Sequence, residues 1–284
     1  MSTFKPERQP IGETRAILWL DASSQIKTYR HGGTMPKSAD PNRYLDNFKY
    51  QVKNAKDRYQ RLEQSLDSSH ESNDTKKGVA EDSAFRLGVL WETFQGDWFV
   101  AAISRNPSAF VGEMQGQLHK AVSDKWARDV IEMKSPGALT IPNRPTLHQI
   151  EKMLDPQGFN ITFTDHAQWL RSAKRYLVGE HLAAVSRVAG DTESTSLLHL
   201  VKKMRNHLAH ASTGSKEEFN KAARTRSTGE RIGLTGSANN ALTRDDRGVA
   251  DLGKYLRAKV EQNGPRRLEI LHERIVQIAE FLRV

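Results

Sequence analysis

The stretch Asp82-Ser83-Ala84-Phe85-Arg86-Leu87-Gly88-Val89-Leu90-Trp91-Glu92-Thr93-Phe94-Gln95-Gly96-Asp97-Trp98-Phe99-Val100-Ala101-Ala102-Ile103-Ser104 decides the fold. Its large apolar residues, Phe85, Leu87, Leu90, Trp91, Phe94, Trp98, Phe99 and Ala102, recur at helical spacing. Two tryptophans and three phenylalanines on one helix mark the centre of a core, because such side chains bury the most apolar surface.

On the N-terminal side, Tyr44, Phe48, Val52, Ala55, Tyr59 and Leu62 fall on one stripe of a helix that starts near Pro41. The polar run from Asp67 to Lys77 reads as a linker. Residues 1–40 are punctuated by Pro6, Pro10, Gly12, Gly32, Gly33 and Pro36, with Ala16-Ile17-Leu18-Trp19-Leu20 their one strongly apolar run. They read as a partly ordered arm.

On the C-terminal side, Asn106-Pro107-Ser108 ends the central helix and starts a shorter one through Leu118, Val122 and Trp126. Residues 135–145 read as a loop, and Thr146 as the cap of a short helix to Leu154. Phe159-Asn160-Ile161-Thr162-Phe163 alternates like a brief extended segment. Asp165 caps a helix to about Val188, ended by Gly190. A further helix from Thr192–Ser196 carries Leu197, Leu200, Val201, Met204 and Leu208 to about Ala211. Residues 212–248 are rich in Gly, Ser, Thr and Arg, longer than an ordinary connection, with one short helix near Lys216–Ala223. A helix pair split at Gly264-Pro265 closes the chain. The expected fold is all-α: an irregular arm over 1–40, then a helical bundle over 41–284 with a long loop before its last helices.

Composition narrows the function. The hydrophobic fraction of 37% with 27% charged residues suits a globular protein with a real core. The net charge of +9 favours polyanionic partners through phosphate contacts and counterion release. There is no cysteine, which removes disulfides and thiolate metal sites. No membrane-length apolar run and no signal-peptide pattern is present, so a cytoplasmic location is the expectation.

The chemistry-bearing segment is Arg205-Asn206-His207-Leu208-Ala209-His210, at the end of an amphipathic helix. At about 100° per residue, Asn206 and His210 lie about 40° apart on one face; Arg205 lies about 140° from His210 and can reach round. Cleaving RNA through its 2′-hydroxyl needs a base, an acid and a cation for the phosphorane. Histidine suits the proton transfers, and arginine's fixed charge suits the phosphate oxygens. One helix offers too few such groups, whereas a twofold homodimer doubles them.

The pattern Arg205-Asn206-x-x-x-His210 resembles the signature of HEPN domains, an all-helical superfamily rich in defence and toxin ribonucleases. The stretch Leu90-Trp91-Glu92-Thr93-Phe94-Gln95-Gly96-Asp97-Trp98-Phe99, followed by Asn106-Pro107-Ser108, resembles the early helix of the RiboL-PSP branch. The resemblance covers about residues 80–210. It implies a metal-independent endoribonuclease without cofactor, acting on RNA as a homodimer, possessing an antitoxin or regulatory partner, and serving as a toxin or phage-defence effector. Residue by residue, it implies that Arg205 binds the scissile phosphate, Asn206 orients the site and His210 transfers protons, with Glu92 and Asp97 in support. Ser212 stands where some family toxins carry a tyrosine that their antitoxin modifies, so that mode of silencing is not expected.

Other readings stay open. Arg205 and His210 also suit a helix C-terminus by offsetting its dipole. His207 and His210 are three apart, but no acidic residue at a metal-ligand spacing joins them. The arginines Arg224, Arg226, Arg231, Arg244 and Arg247 are either a surface loop or an RNA clamp. The alternative function is a non-catalytic HEPN-like module that binds RNA or protein.

Overall fold

The helix around Trp91 is longer than its apolar pattern predicts. In the computed structural model, which describes residues 39–69, 71–158, 160–224, 248–259 and 263–284, it runs over Asn73–Arg105 as α2, started by the Ser72 hydroxyl accepting from the Thr75 N–H. The polar residues read as linker are therefore divided. Some extend α1 (Pro41–Ser68) and some form the first turns of α2, leaving a short connection between them. Along the chain follow α3 (Ser108–Ala121), α4 (Lys125–Lys134), α5 (Leu147–Leu154), α6 (His166–Tyr176), α7 (Gly179–Gly190), α8 (Thr192–His210), α9 (Thr213–Ala223), α10 (Leu252–Arg257) and α11 (Arg267–Glu280). Among the described residues the fold is all-α.

Every residue of α2 from Trp98 to Ser104 is buried, as expected for a helix enclosed on all sides. Helices α1, α5, α8, α10 and α11 all pack against it. Phe48 of α1 stacks on Phe94 at 4.4 Å and meets the Trp91 edge at 5.8 Å, and Trp91 meets Trp169 of α6 at 6.3 Å. Each such pair adds about 0.5–1.5 kcal/mol beyond its buried area. No described helix is long and apolar enough to cross a membrane.

Two glycines of α2 let neighbours approach closely. A Cβ on Gly96 would stand 2.5 Å from the Ile161 carbonyl oxygen. A Cβ on Gly88 would stand 2.6 Å from the Cβ of Arg205. The first brings the segment before α6 across α2, and the second seats the end of α8.

Several expectations are corrected. The helix expected through Trp126 breaks after Ala121, and Asp124 caps a separate α4 that leaves Trp126 75% exposed. The long helix expected from Asp165 is two, because the chain turns at Leu177-Val178 into Gly179 at φ +57°. Residues 160–163 form no strand; Phe163 instead packs its ring on Phe99 at 5.1 Å. Leu62 is exposed rather than part of the apolar stripe. Between the closing pair, α10 and α11, Lys259 and Arg266 form an antiparallel bridge. Buried Glu63 of α1 ties the two together, accepting from Arg257 Nε at 2.8 Å and from Arg266. Residues 1–38 of the expected arm and the arginines Arg226, Arg231, Arg244 and Arg247 lie outside the described residues, while Asp40, expected in the arm, caps α1.

Candidate active site

Helix α8 is fixed at both ends. Asp191 accepts from the Ser194 N–H at 2.8 Å and from its hydroxyl at 2.6 Å. At the other end Ala211 takes the left-handed conformation (φ 48°, ψ 24°) and donates its N–H to the His207 carbonyl at 2.8 Å. That conformation costs a non-glycine residue about 1 kcal/mol, and here it turns the chain at once into α9. Ser212 and Ser215 close a reciprocal cap on α9. The segment Arg205–His210 is therefore the tip of a helix at a tight corner.

Around α8, Leu197, Leu200, Val201 and Met204 are buried. Lys203 and His207 turn towards α9: Lys203 pairs with Glu218 at 2.8 Å, and His207 Nδ1 lies 3.3 Å from the Ser215 hydroxyl. The His207 ring also stacks on Phe219 at 6.2 Å between centroids. Burial pushes the His207 imidazole below its ordinary pKa, with the Lys216 charge acting the same way. His207 is thus part of the α8–α9 packing. At about 100° per residue, Lys202, Asn206, Ala209 and His210 share the strip left between the α2 and α9 seams. His210 is exposed at its end, and Lys202 and Asn206 are partly covered.

Arg205 lies on the α2 seam, its stem over Gly88 and its guanidinium carbon 5.8 Å from the Phe85 ring centroid. Nη2 stands 3.4 Å from Glu92 Oε2, and Nη1 donates to Asn206 Oδ1 at 3.1 Å. Its Nε is buried with no hydrogen-bond partner among the described residues. Glu92 of α2 thus holds the guanidinium, which in turn holds the Asn206 amide. With its oxygen engaged, Asn206 can offer only N–H donors to a bound phosphate. Phe85, expected in the core, serves as a half-buried platform beneath the cation.

Of the expected site residues, Arg205, Asn206 and Glu92 come together, with His210 one turn beyond Asn206. Asp97 is half-buried and lies about 7.5 Å further along α2, turned about 140° from Glu92. Arg224 ends α9, about 16 Å along that helix from the corner beside His210. Of the remaining histidines, His181 and His272 are buried in the body, and His148, His166 and His199 are exposed. Among the described residues, no group of three or more His, Asp or Glu is arranged to hold a metal ion.

One site residue was missed from the sequence. Lys202 precedes Asn206 by one turn and His210 by two, and its ammonium donates to the Phe163 carbonyl across the gap to the segment before α6. Burial lowers its pKa from the ordinary lysine value, partly opposed by the nearby Glu92 carboxylate. The i, i+4, i+8 spacing with Asn206 and His210 is the signal that could have found it.

Compared with models of known families, with curated proteins and with solved structures, the chain matches none.

Proposed function

We propose that the protein is a metal-independent endoribonuclease of the HEPN type, working as a homodimer through Arg205, Asn206 and His210. The observation that carries this reading is the linked set Glu92–Arg205–Asn206 on the helix whose exposed tip is His210. A fixed cation beside amide donors suits a phosphodiester, and an imidazole one turn away suits proton transfer.

In the proposed reaction, one imidazole takes the proton of a ribose 2′-hydroxyl, whose oxygen attacks the adjacent phosphorus. Arg205 steadies the charge on the pentacoordinate phosphate. A second imidazole, from the tip of another copy, protonates the departing 5′-oxygen. The products end in a 2′,3′-cyclic phosphate and a 5′-hydroxyl. The exposure of His210 at a helix tip supports this pairing, since a second copy can reach it. The net charge of +9 supports RNA as the partner. Such an activity fits a cytoplasmic toxin or phage-defence effector restrained by a partner protein.

A second reading is a non-catalytic RNA- or protein-binding module. It is favoured by the internal commitment of Arg205 to Glu92 and Asn206, which a purely structural arginine would also show. Incubating total RNA in chelator with wild type and with His210→Ala separates the two. The nuclease yields new termini carrying cyclic phosphate that the folded variant does not produce. Binding without new termini in either protein leaves the module.

A further inference from the structure

Beside Arg205 the strip carries a second cation, Lys202, one turn before Asn206. Glu92 faces two cations, Arg205 at 3.4 Å and Lys202, whose titration it affects. The Asp165 carboxylate also acts on Lys202, and it caps α6 by accepting from the Gln168 N–H at 2.6 Å. Lys203, the neighbouring lysine, is neutralised by Glu218. Lys202 forms no ion pair among the described residues, and its ammonium bonds a backbone carbonyl instead.

Lys202 is also held in place. Its ammonium bonds the Phe163 carbonyl, and that segment is pinned across α2 at Gly96 and by the Phe163 ring on Phe99. One N–H is used there, which leaves the ammonium's other donors for a ligand. A surface lysine wanders over many rotamers, whereas this one is tethered beside Asn206. Four residues of helix separate the two, about 6 Å of rise. Successive phosphates of a nucleic-acid strand are spaced on that scale.

We propose that Lys202 is a second phosphate-binding residue, engaging the phosphodiester next to the one held by Arg205 and Asn206. This rests on the nuclease reading for which phosphate is cut, but not for the binding itself. Lys202 is a positioning residue: it fixes the register of the strand along α8 and touches no reacting atom. The strand then runs along the strip from His210 towards Lys202, whose ammonium meets the flanking phosphate.

The test uses the full chain and a 2′-O-methyl oligoribonucleotide of mixed sequence, which cannot be cut, titrated over a salt series. Lys202→Met is expected to bind about tenfold more weakly, the scale of one charge-assisted contact. Its plot of log affinity against log salt is expected to be shallower by about 0.7. Lys202→Arg restores the slope, and on cleavable RNA Lys202→Met raises KM while kcat holds. A lysine that served only to tether Phe163 would give a less heat-stable Lys202→Met protein with the wild-type salt slope, and that result overturns the proposal. Absence of salt-dependent binding by wild type overturns it as well. A slope that depends on Lys202 in a protein that never cuts RNA sustains the phosphate site and refutes the nuclease.

Discussion

Gly88→Ala probes the contact that seats the site. The added Cβ would stand 2.6 Å from the Cβ and 2.9 Å from the Cγ of Arg205, where carbon atoms prefer about 3.5–4.0 Å. The atoms it meets lie at the root of the arginine side chain, so a rotamer change does not relieve the clash. Helices α2 and α8 must separate by about 1 Å, at a cost of about 1–3 kcal/mol for overpacking. Against this, replacing glycine by alanine inside a helix gains about 1 kcal/mol. Gly78→Ala, on the same helix with nothing within 4 Å of the new methyl, collects that gain without the clash. The difference between the two variants isolates the packing cost, and thermal melts should separate them by roughly 2–10 °C. Under the proposed function, displacing Arg205 by about 1 Å lowers RNA cleavage about 100-fold in Gly88→Ala. Gly78→Ala should cleave like wild type. If the two melt together and cleave alike, the close seating of α8 on α2 is wrong, and with it the anchoring of Arg205.

Glu92→Gln keeps the shape of the side chain but removes its charge from a pair in which the carboxylate is 17% and the guanidinium 30% exposed. A stability loss of about 1 kcal/mol is expected by melting, with cleavage reduced about tenfold; unchanged cleavage would show that Arg205 needs no anchor. Acid stability is set in part by His272, whose burial pushes its pKa down to about 4, while its ring bonds the Leu268 carbonyl at 2.7 Å. An unfolded histidine titrates near 6.5, so between about pH 6.5 and 4 the unfolded chain binds the extra proton and stability falls as pH falls. The contribution is fully present above about pH 6.5, and up to about 3 kcal/mol is lost near pH 4. Urea melts of wild type and His272→Gln over this range should diverge, and parallel curves would contradict the buried neutral ring.

The helical core was readable because its signal is periodic. Trp91, Phe94 and Trp98 recur at helical steps and are buried, and Trp91 and Phe94 both meet Phe48 of α1. The helix breaks were harder. The one after Ala121 rests on Asp124, a cap whose chemistry also suits a helix interior facing water, and the turn at Leu177-Val178 lies inside an apolar run. Trp126 read as part of the same helix as Leu118 and Val122 because its spacing from them is helical, and spacing does not show where a helix breaks. At the site, the spacing of Arg205, Asn206 and His210 could be read directly, since residues of one helix share a face by register. The pairing of Arg205 with Glu92 depends on two helices approaching at Gly88, a distance that no local pattern encodes. Lys202 escaped because its partner is a backbone carbonyl of Phe163, and main-chain acceptors leave no trace in residue type.

Under the proposed function a ribose 2′-hydroxyl is the nucleophile, activated by the tip of α8. This is tested most directly on an oligoribonucleotide with one mapped cleavage position, compared with the same strand carrying a single 2′-deoxy sugar at that position, both in chelator. Wild type is expected to cut the first and spare the second at that site, and Arg205→Ala and His210→Ala are expected to cut neither. Cleavage of the 2′-deoxy strand at the same position, or full activity in His210→Ala, would contradict it.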